Sequence, residues 1–284
     1  MIQVTRYPTA DAFLAAAHRL LMTAEAENHL ILGVTEGLAR NPAAAVNPYL
    51  AVVGNGTEAL ACAVYLAPFK LVLTRANREP IAALAADAFA AVPDVTGITG
   101  PDRSAGDFAA AWSALSGVPA RISMRMRIHE TRKVSDPSMR APAGRFRAAT
   151  SEDIPLLTAW TDVFVAEARI EEHVDSGAIV AGGVKRGRLY VWEDGGPVSM
   201  AAWTGKTPNG VRLNFVFTPR ELRGKGYATA CVSALTRQQL EQGRAFCWLY
   251  TDLSSAASPN IFKRIGYRPV SDVAEYYLTR ELEN

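Results

Sequence analysis

Apolar and polar positions along the 284-residue chain follow helix and strand periods in a fixed succession, and that succession comes twice. Helical spacing over Ala10–Met22 and Ala24–Ala39 gives way to YLAVV, the turn GNGT and EALACAVYL, which together predict a hairpin. KLVLT (Lys70–Thr74) then leads into the helix PIAALAADAFAAV. In the second half, helical stretches over Ile154–Ala168 and Glu171–Ala181 precede RLYVW, the turn EDGG and PVSMAAWT. RLNFVFT (Arg212–Thr218) then leads into the helix GYATACVSALTRQQLEQ. The pattern predicts an α/β protein of two units with one design, each a mostly antiparallel mixed sheet flanked by helices. Helix, hairpin, strand and helix in this order are common in α/β proteins, so two unrelated units of similar layout stay open as the alternative.

The boundary falls in VSDPSMRAPAG, Val134–Gly144, where two prolines, two serines and a glycine interrupt both periods. It divides the chain into domains 1–135 and 143–284. Beyond it, Thr150 followed by Asp153 forms a capping-box signature at the start of a helix, with Asp in place of Glu. That helix carries Trp160, Phe164 and Ala168 as an apolar i, i+4, i+8 row. Arg121, Ser123, Arg125 and Arg127 alternate with apolar residues, which reads as a strand with one solvated polar face.

Composition narrows the function. Hydrophobic residues at 49% and charged residues at 20% describe a packed globular protein, not a disordered chain. Thirty Lys and Arg against 28 Asp and Glu leave a net charge of +2, too little to hold a polyanion, so nucleic acid and acidic membrane surfaces are not expected partners. Asp11, His18 and Arg19 break the apolar stretch that a signal peptide needs. No window approaches the ~18 apolar residues of a membrane span. Cys62, Cys231 and Cys247 are odd in number, form no CxxC pair and read as buried thiols of a reducing, cytoplasmic compartment. The four histidines make no ligand spacing, so no metal is expected, and no GxSxG elbow argues for hydrolysis.

The chemistry concentrates at Arg223-Gly224-Lys225-Gly226-Tyr227-Ala228, at the junction of a strand and a helix. Small residues at 224, 226 and 228 let the backbone bend and a ligand approach. The helix N-terminus offers unpaired N–H groups and the positive end of its dipole, and Arg223 and Lys225 add charge where a pyrophosphate would sit. For an isolated GxG, a solvated turn is the simpler reading. A dinucleotide fingerprint needs a third glycine where this chain has Thr229, and a P-loop needs GxxxxGK[ST], which does not occur. The first unit has RANRE at the corresponding junction, with no glycine.

In these residues the chain resembles the GNAT superfamily of acyl-CoA-dependent N-acyltransferases, over about Arg145–Leu278. The family's R/Q-x-x-G-x-G/A motif is matched by Arg223, Gly226 and Ala228 after a strand ending Val216-Phe217-Thr218-Pro219. A second matching stretch follows, CWLYTD and then SSAASPNIFKRIGYRPV. The resemblance implies two GNAT-like units, the first degenerate, with acetyl-CoA as cosubstrate and an amine, on a small molecule or a peptide, as acceptor, in a monomer or homodimer. It places Val216, Phe217 and Thr218 along the pantetheine arm where two parallel strands splay. It gives the pyrophosphate to the turn from Arg223 through Gly224, Lys225, Gly226, Tyr227, Ala228 and Thr229. Asn260 would hydrogen-bond the cofactor, with Phe262 and Lys263 on the helix beside it; as a residue after Ser258-Pro259, Asn260 is equally a helix cap.

The implied reaction is direct attack of a neutral amine on the acetyl thioester, which calls for a proton acceptor and for a donor to the departing thiolate. Many family members place a tyrosine four residues before the closing glycine, Gly266; here that position is Phe262. Tyr250, Tyr276 and Tyr277 are the alternatives for the acid, Tyr250 the first choice, and each is also an ordinary packing residue by its strand spacing. Glu167, with Glu171 and Glu172, is the candidate base; each is also an ordinary solvated helix residue. The missing tyrosine leaves a second reading, an acyl-CoA-binding or regulatory module without turnover.

Overall fold

The computed structural model describes residues 2–135, 142–168, 174–254 and 258–279. They fold into two compact units, one made of Met1–Ile128, Thr251–Ser255 and Val270–Asn284, the other of His129–Tyr250 and Ala256–Pro269. The units are therefore interleaved in sequence, with the chain from Val270 onward belonging to the first.

The first unit runs β1 (Gln3–Arg6), α1 (Ala10–Met22), α2 (His29–Arg40), β2 (Tyr49–Gly54), β3 (Ala59–Tyr65), β4 (Leu71–Leu73), α3 (Arg78–Ala91), β5 (Gly97–Pro101), α4 (Asp102–Ser116) and β6 (Arg121–Thr131). The second runs β7 (Arg145–Ala148), α5 (Ile154–Glu167), α6 (Ser176–Lys185), β8 (Leu189–Glu193), β9 (Pro197–Lys206), β10 (Gly210–Phe217), α7 (Tyr227–Glu241), β11 (Phe246–Asp252) and α8 (Ser258–Ile265). The last strand, β12 (Arg268–Tyr277), lies beside β5, with Val273 opposite Pro101 and Tyr277 opposite Gly97. Each unit repeats one plan: two helices between its first and second strands, then antiparallel strands ending in a parallel pair, β4 with β5 and β10 with β11. The duplicated α/β architecture expected from the pattern is the one observed.

Burial on both faces explains why strands such as YLAVV read as continuous apolar runs. Tyr49, Ala51 and Val53 of β2 join a core with α3 and α4, while Leu50 and Val52 join the core beneath α1 and α2. In the second unit Val211 and Leu213 of β10 pack with Cys231, Val232 and Leu235 of α7. The opposite face carries Leu157, Val180, Leu189, Met200 and Phe217. The expected Trp160 and Phe164 row does meet the sheet, against Phe217 and Phe215 at 5.9 and 5.5 Å between ring centroids.

Local chemistry sets several helix starts. The Thr150 and Asp153 capping box is formed, and Asp153 also takes a bidentate pair from Arg147 at 2.7 and 3.0 Å. The helix expected from Ala24 begins only at His29, because the Asn28 amide turns back to donate to the Leu21 carbonyl at 3.0 Å. The helix expected from Glu171 begins at Ser176, where Asp175 accepts from the Ala178 N–H at 2.8 Å. Glu171, Glu172 and residues 136–141 of the expected boundary lie outside the described residues.

Candidate functional site

The parallel pairing of β10 with β11 runs from Gly210 opposite Phe246 to Arg212 opposite Trp248, and among the described residues it goes no further. On its other side β10 loses register with β9 between Asn214 and Phe217. Phe215 there has φ 51°, and its N–H is taken by the Asn214 side chain at 2.8 Å. A bulge with a non-glycine residue in the left-handed region bends the strand and frees its end from its neighbours. The bend was not legible in RLNFVFT, because Phe carries no turn preference of its own.

The bulge leads into Val216, Phe217 and Thr218, the three residues expected along the cofactor arm. Val216 is half-buried, while Phe217 and Thr218 are buried. The Thr218 hydroxyl donates to Ser199 Oγ at 2.9 Å, and Ser199 donates to the Phe217 carbonyl at 3.0 Å. This relay pins the strand end at the fork.

A single turn, Arg220–Leu222, then delivers the glycine segment. Gly224 and Gly226 have φ 80° and 87°, a region that costs an L residue roughly 1–2 kcal/mol. Among the described residues a Cβ on Gly224 would meet nothing within 4 Å and one on Gly226 only Pro142 at 4.0 Å, so none of them closes the space in front of the turn. Gly226 is the N-cap of α7, with no side-chain cap and no acidic residue in the first turn. The N–H groups of Tyr227, Ala228 and Thr229 thus face the opening as helix N-terminal donors. Lys225 is exposed there, and the Tyr227 hydroxyl is tied to Asp194 at 2.7 Å. At the corresponding junction in the first unit, α3 has no glycine before it and Glu79 in its first turn, both adverse to an anion.

Arg223 is held within the protein. Its Nε donates to the Thr218 carbonyl at 2.9 Å, its Nη2 to Glu167 at 2.7 Å, and its guanidinium lies 5.7 Å from the Phe217 ring. Arg220 donates to the other Glu167 oxygen at 3.0 Å. These bonds, that from Arg223 first, hold the Glu167 carboxyl below the usual carboxylate range. The base role expected of Glu167 fits this geometry poorly, because both oxygens are engaged and a more acidic carboxyl is a weaker proton acceptor.

Of the second stretch, Asn260 occupies the third position of α8, its side chain outside the described residues. Phe262 is buried edge-on against Tyr267 at 6.0 Å, a packing residue where a hydroxyl was sought. Lys263 is exposed. Gly266 closes the helix at φ 114°, and a Cβ there would stand 2.8 Å from the Lys133 carbonyl. Tyr250 lies on β11 under the Arg212 guanidinium, 4.9 Å from ring to cation. Leu249 packs on the α7 face, so the alternation of β11 turns Tyr250 to the α5 and α6 face. That face also holds a cavity of about 300 Å³ lined by residues of α5, α6, β8, β9 and β10. Among the described residues no three His, Cys, Asp or Glu side chains converge as metal ligands, and no helix is long and apolar enough to cross a membrane.

Residues 192–277 match the family model described as FR47-like protein, a span that contains the fork, the glycine turn and α8. Among solved structures, the chain is similar to a GCN5-related N-acetyltransferase from Sphaerobacter thermophilus, with 16% identity over 100% of this chain and 98% of that one and a TM-score of 0.63. A GNAT-family acetyltransferase from Colwellia psychrerythraea matches at 10% identity over 98% and 100%, with a TM-score of 0.58. A tandem GNAT protein from the clavulanic acid biosynthesis pathway matches at 14% identity over 99% and 100%, with a TM-score of 0.55. No curated protein matches the chain. The fold is that of the GNAT acetyltransferases, in two GNAT-like units.

Proposed function

We propose that this GNAT-fold chain is an acetyl-CoA-dependent N-acetyltransferase, its second unit the working one. The observation that carries the reading is the open turn from Arg223 to Thr229, with two left-handed glycines and an uncapped, acid-free helix start, placed directly after the bulged strand end at the β10 and β11 fork. The first unit, whose equivalent helix start carries Glu79 and no glycine, serves as a structural partner.

Acetyl-CoA would supply the activated acyl group as a thioester. N–H groups at the start of α7 would hold its pyrophosphate, with Lys225 adding charge, and Asn260 would contact the cofactor from α8. The strand end at Val216 to Thr218 would align the pantetheine arm, and a backbone N–H of the bulged segment would polarise the thioester carbonyl. The acceptor nitrogen gives up its proton to water or a water-linked carboxylate, forms the amide bond, and the carbon–sulfur bond breaks. Tyr250, on the face that carries the cavity, is the donor proposed for the departing thiolate. Isothermal titration with acetyl-CoA, followed by measurement of thiol release against a panel of amines, tests the reading; no binding refutes it.

Phe262 favours a second reading, because it fills core space where many family members place the acid. On that reading the chain binds acyl-CoA and does not turn over, and the same titration with no thiol release for any amine would establish it.

A further inference from the structure

Among the described residues Arg212 has no carboxylate partner. It is the last β10 residue in the parallel register, and its neighbours Val211 and Leu213 pack on the α7 side, so its side chain projects to the α5 and α6 face. Its Nε is inaccessible to solvent and has no hydrogen-bond partner among the described residues. Burial depresses its pKa, and among the described residues Tyr250, beneath the guanidinium, is the group that opposes this. Taking a guanidinium out of water is unfavourable unless it is paired. A site that keeps one unpaired is complementary to an anion that arrives with a ligand.

The cavity is on the same face. Thr204, the cross-strand partner of Arg212, lines it together with Thr161, Gly183, Phe215, Arg186 and Arg188. Among the described residues neither of these two arginines has an ion pair; Arg188 lies instead over the Trp203 ring at 4.6 Å. Among the described residues that line this cavity there are two arginines and no carboxylate. Its volume of about 300 Å³ stands at the small end of ligand sites and suits a small molecule rather than a peptide.

We propose that the acceptor is a small amine that also carries a carboxylate or phosphate, with Arg212 the buried anchor for that anion and Arg186 and Arg188 its attraction at the cavity wall. The inference rests on the acetyltransferase reading. Arg212 is a binding and positioning residue in it and does not touch the reacting atoms.

Matched pairs test it: tyrosine against tyramine for the carboxylate, O-phosphoethanolamine against ethanolamine for the phosphate, each assayed by thiol release at saturating acetyl-CoA. In at least one pair the anionic member is expected to have a kcat/KM higher by about tenfold or more, as a charged hydrogen bond would give. Arg212→Met should shrink that ratio toward one, mainly through KM, without lowering Tm, since an apolar side chain replaces an unpaired charge. The double variant Arg186→Ala with Arg188→Ala, altered at less buried positions, should reduce the ratio as well. Equal or inverted preference in both pairs overturns the inference while acetyl-CoA binding and turnover uphold the reading beneath it. A ratio unchanged in both variants also overturns it, and a lowered Tm in Arg212→Met with an unchanged ratio gives Arg212 a structural role. Absence of acetyl-CoA binding, or of acetylation of any of the four amines, removes the inference too, the former taking the reading with it.

Discussion

Glu167 Oε2 accepts a 2.7 Å hydrogen bond from Nη2 of Arg223, the residue that opens the glycine turn. The contact joins the end of α5 to the segment proposed to hold pyrophosphate, and it keeps that arginine occupied. Because Glu167 is held below the usual carboxylate range, the pair survives to more acidic pH than a free glutamate would allow. Glu167→Gln should release Arg223 and tighten acetyl-CoA binding about two- to fivefold, in keeping with the small energy of an exposed pair. Calorimetry at low and high salt checks this, and the gain should shrink as salt rises. A loss of kcat of about 10² or more with unchanged affinity would instead make Glu167 the base after all.

The glycines of the turn are required by backbone conformation, not by crowding. Gly226→Ala places a Cβ at φ 87° that meets only Pro142, at 4.0 Å, among the described residues, so strain alone should lower stability by roughly 1 kcal/mol. Acetyl-CoA affinity should fall by more than that strain accounts for, since the methyl group would stand where the ligand approaches. Urea denaturation alongside calorimetry separates the two effects; equal affinity in the variant would mean that nothing docks against this turn.

Tyr250→Phe tests the proposed proton donor. The expected result is a drop in kcat of about 10²-fold with little change in KM. The same substitution at Tyr267, which is buried and bonded to Thr236 at 2.9 Å, should lower Tm instead and leave kcat of the folded fraction alone.

Asp153 links stability to pH. Arg147, then the Thr150 N–H, depress its pKa against the effect of burial. A carboxyl with a lowered folded-state pKa contributes stability above its unfolded pKa of ~3.9 and loses it as pH falls through the folded value. Asp153→Asn should therefore cost about 1–2 kcal/mol at neutral pH. The difference from wild type should fade in acid below that range, as denaturation at the two pH values will show.

The three cysteines should be silent in the native state. Burial pushes the thiols of Cys62, Cys231 and Cys247 up to about 12, and all three are free. A thiol reagent at pH ~8 should react only as the chain unfolds, because the thiolate is the nucleophile. One equivalent reacting at once would show that a unit opens locally.

What could be read from the sequence was whatever local chemistry fixes. Gly224 and Gly226 announce their backbone by residue type, Thr150 and Asp153 announce a cap, and the two-sided apolar strands announce buried sheets. What could not be read depends on partners distant in sequence. Phe215 is strained by the register around it, and the pull of Arg220 and Arg223 on Glu167 needs residues more than fifty positions apart. Arg212 is an ordinary letter in a strand until the fold leaves its Nε shielded from solvent with no hydrogen-bond partner among the described residues. Phe262 marked a missing hydroxyl, but only packing against Tyr267 shows what the ring does instead.

The placement of β12 orders events in time. Most strands of the first unit leave the ribosome before those of the second, yet its strand β5 has no partner on that side until Val273 to Tyr277 have been synthesised. Until then β5 presents an open edge, a template for mispairing with any nascent neighbour. Vectorial synthesis thus cannot finish the first unit first. A chain stopped before residue 270 would leave that unit with a raw edge, and the damage of a late frameshift would surface in the unit made earlier.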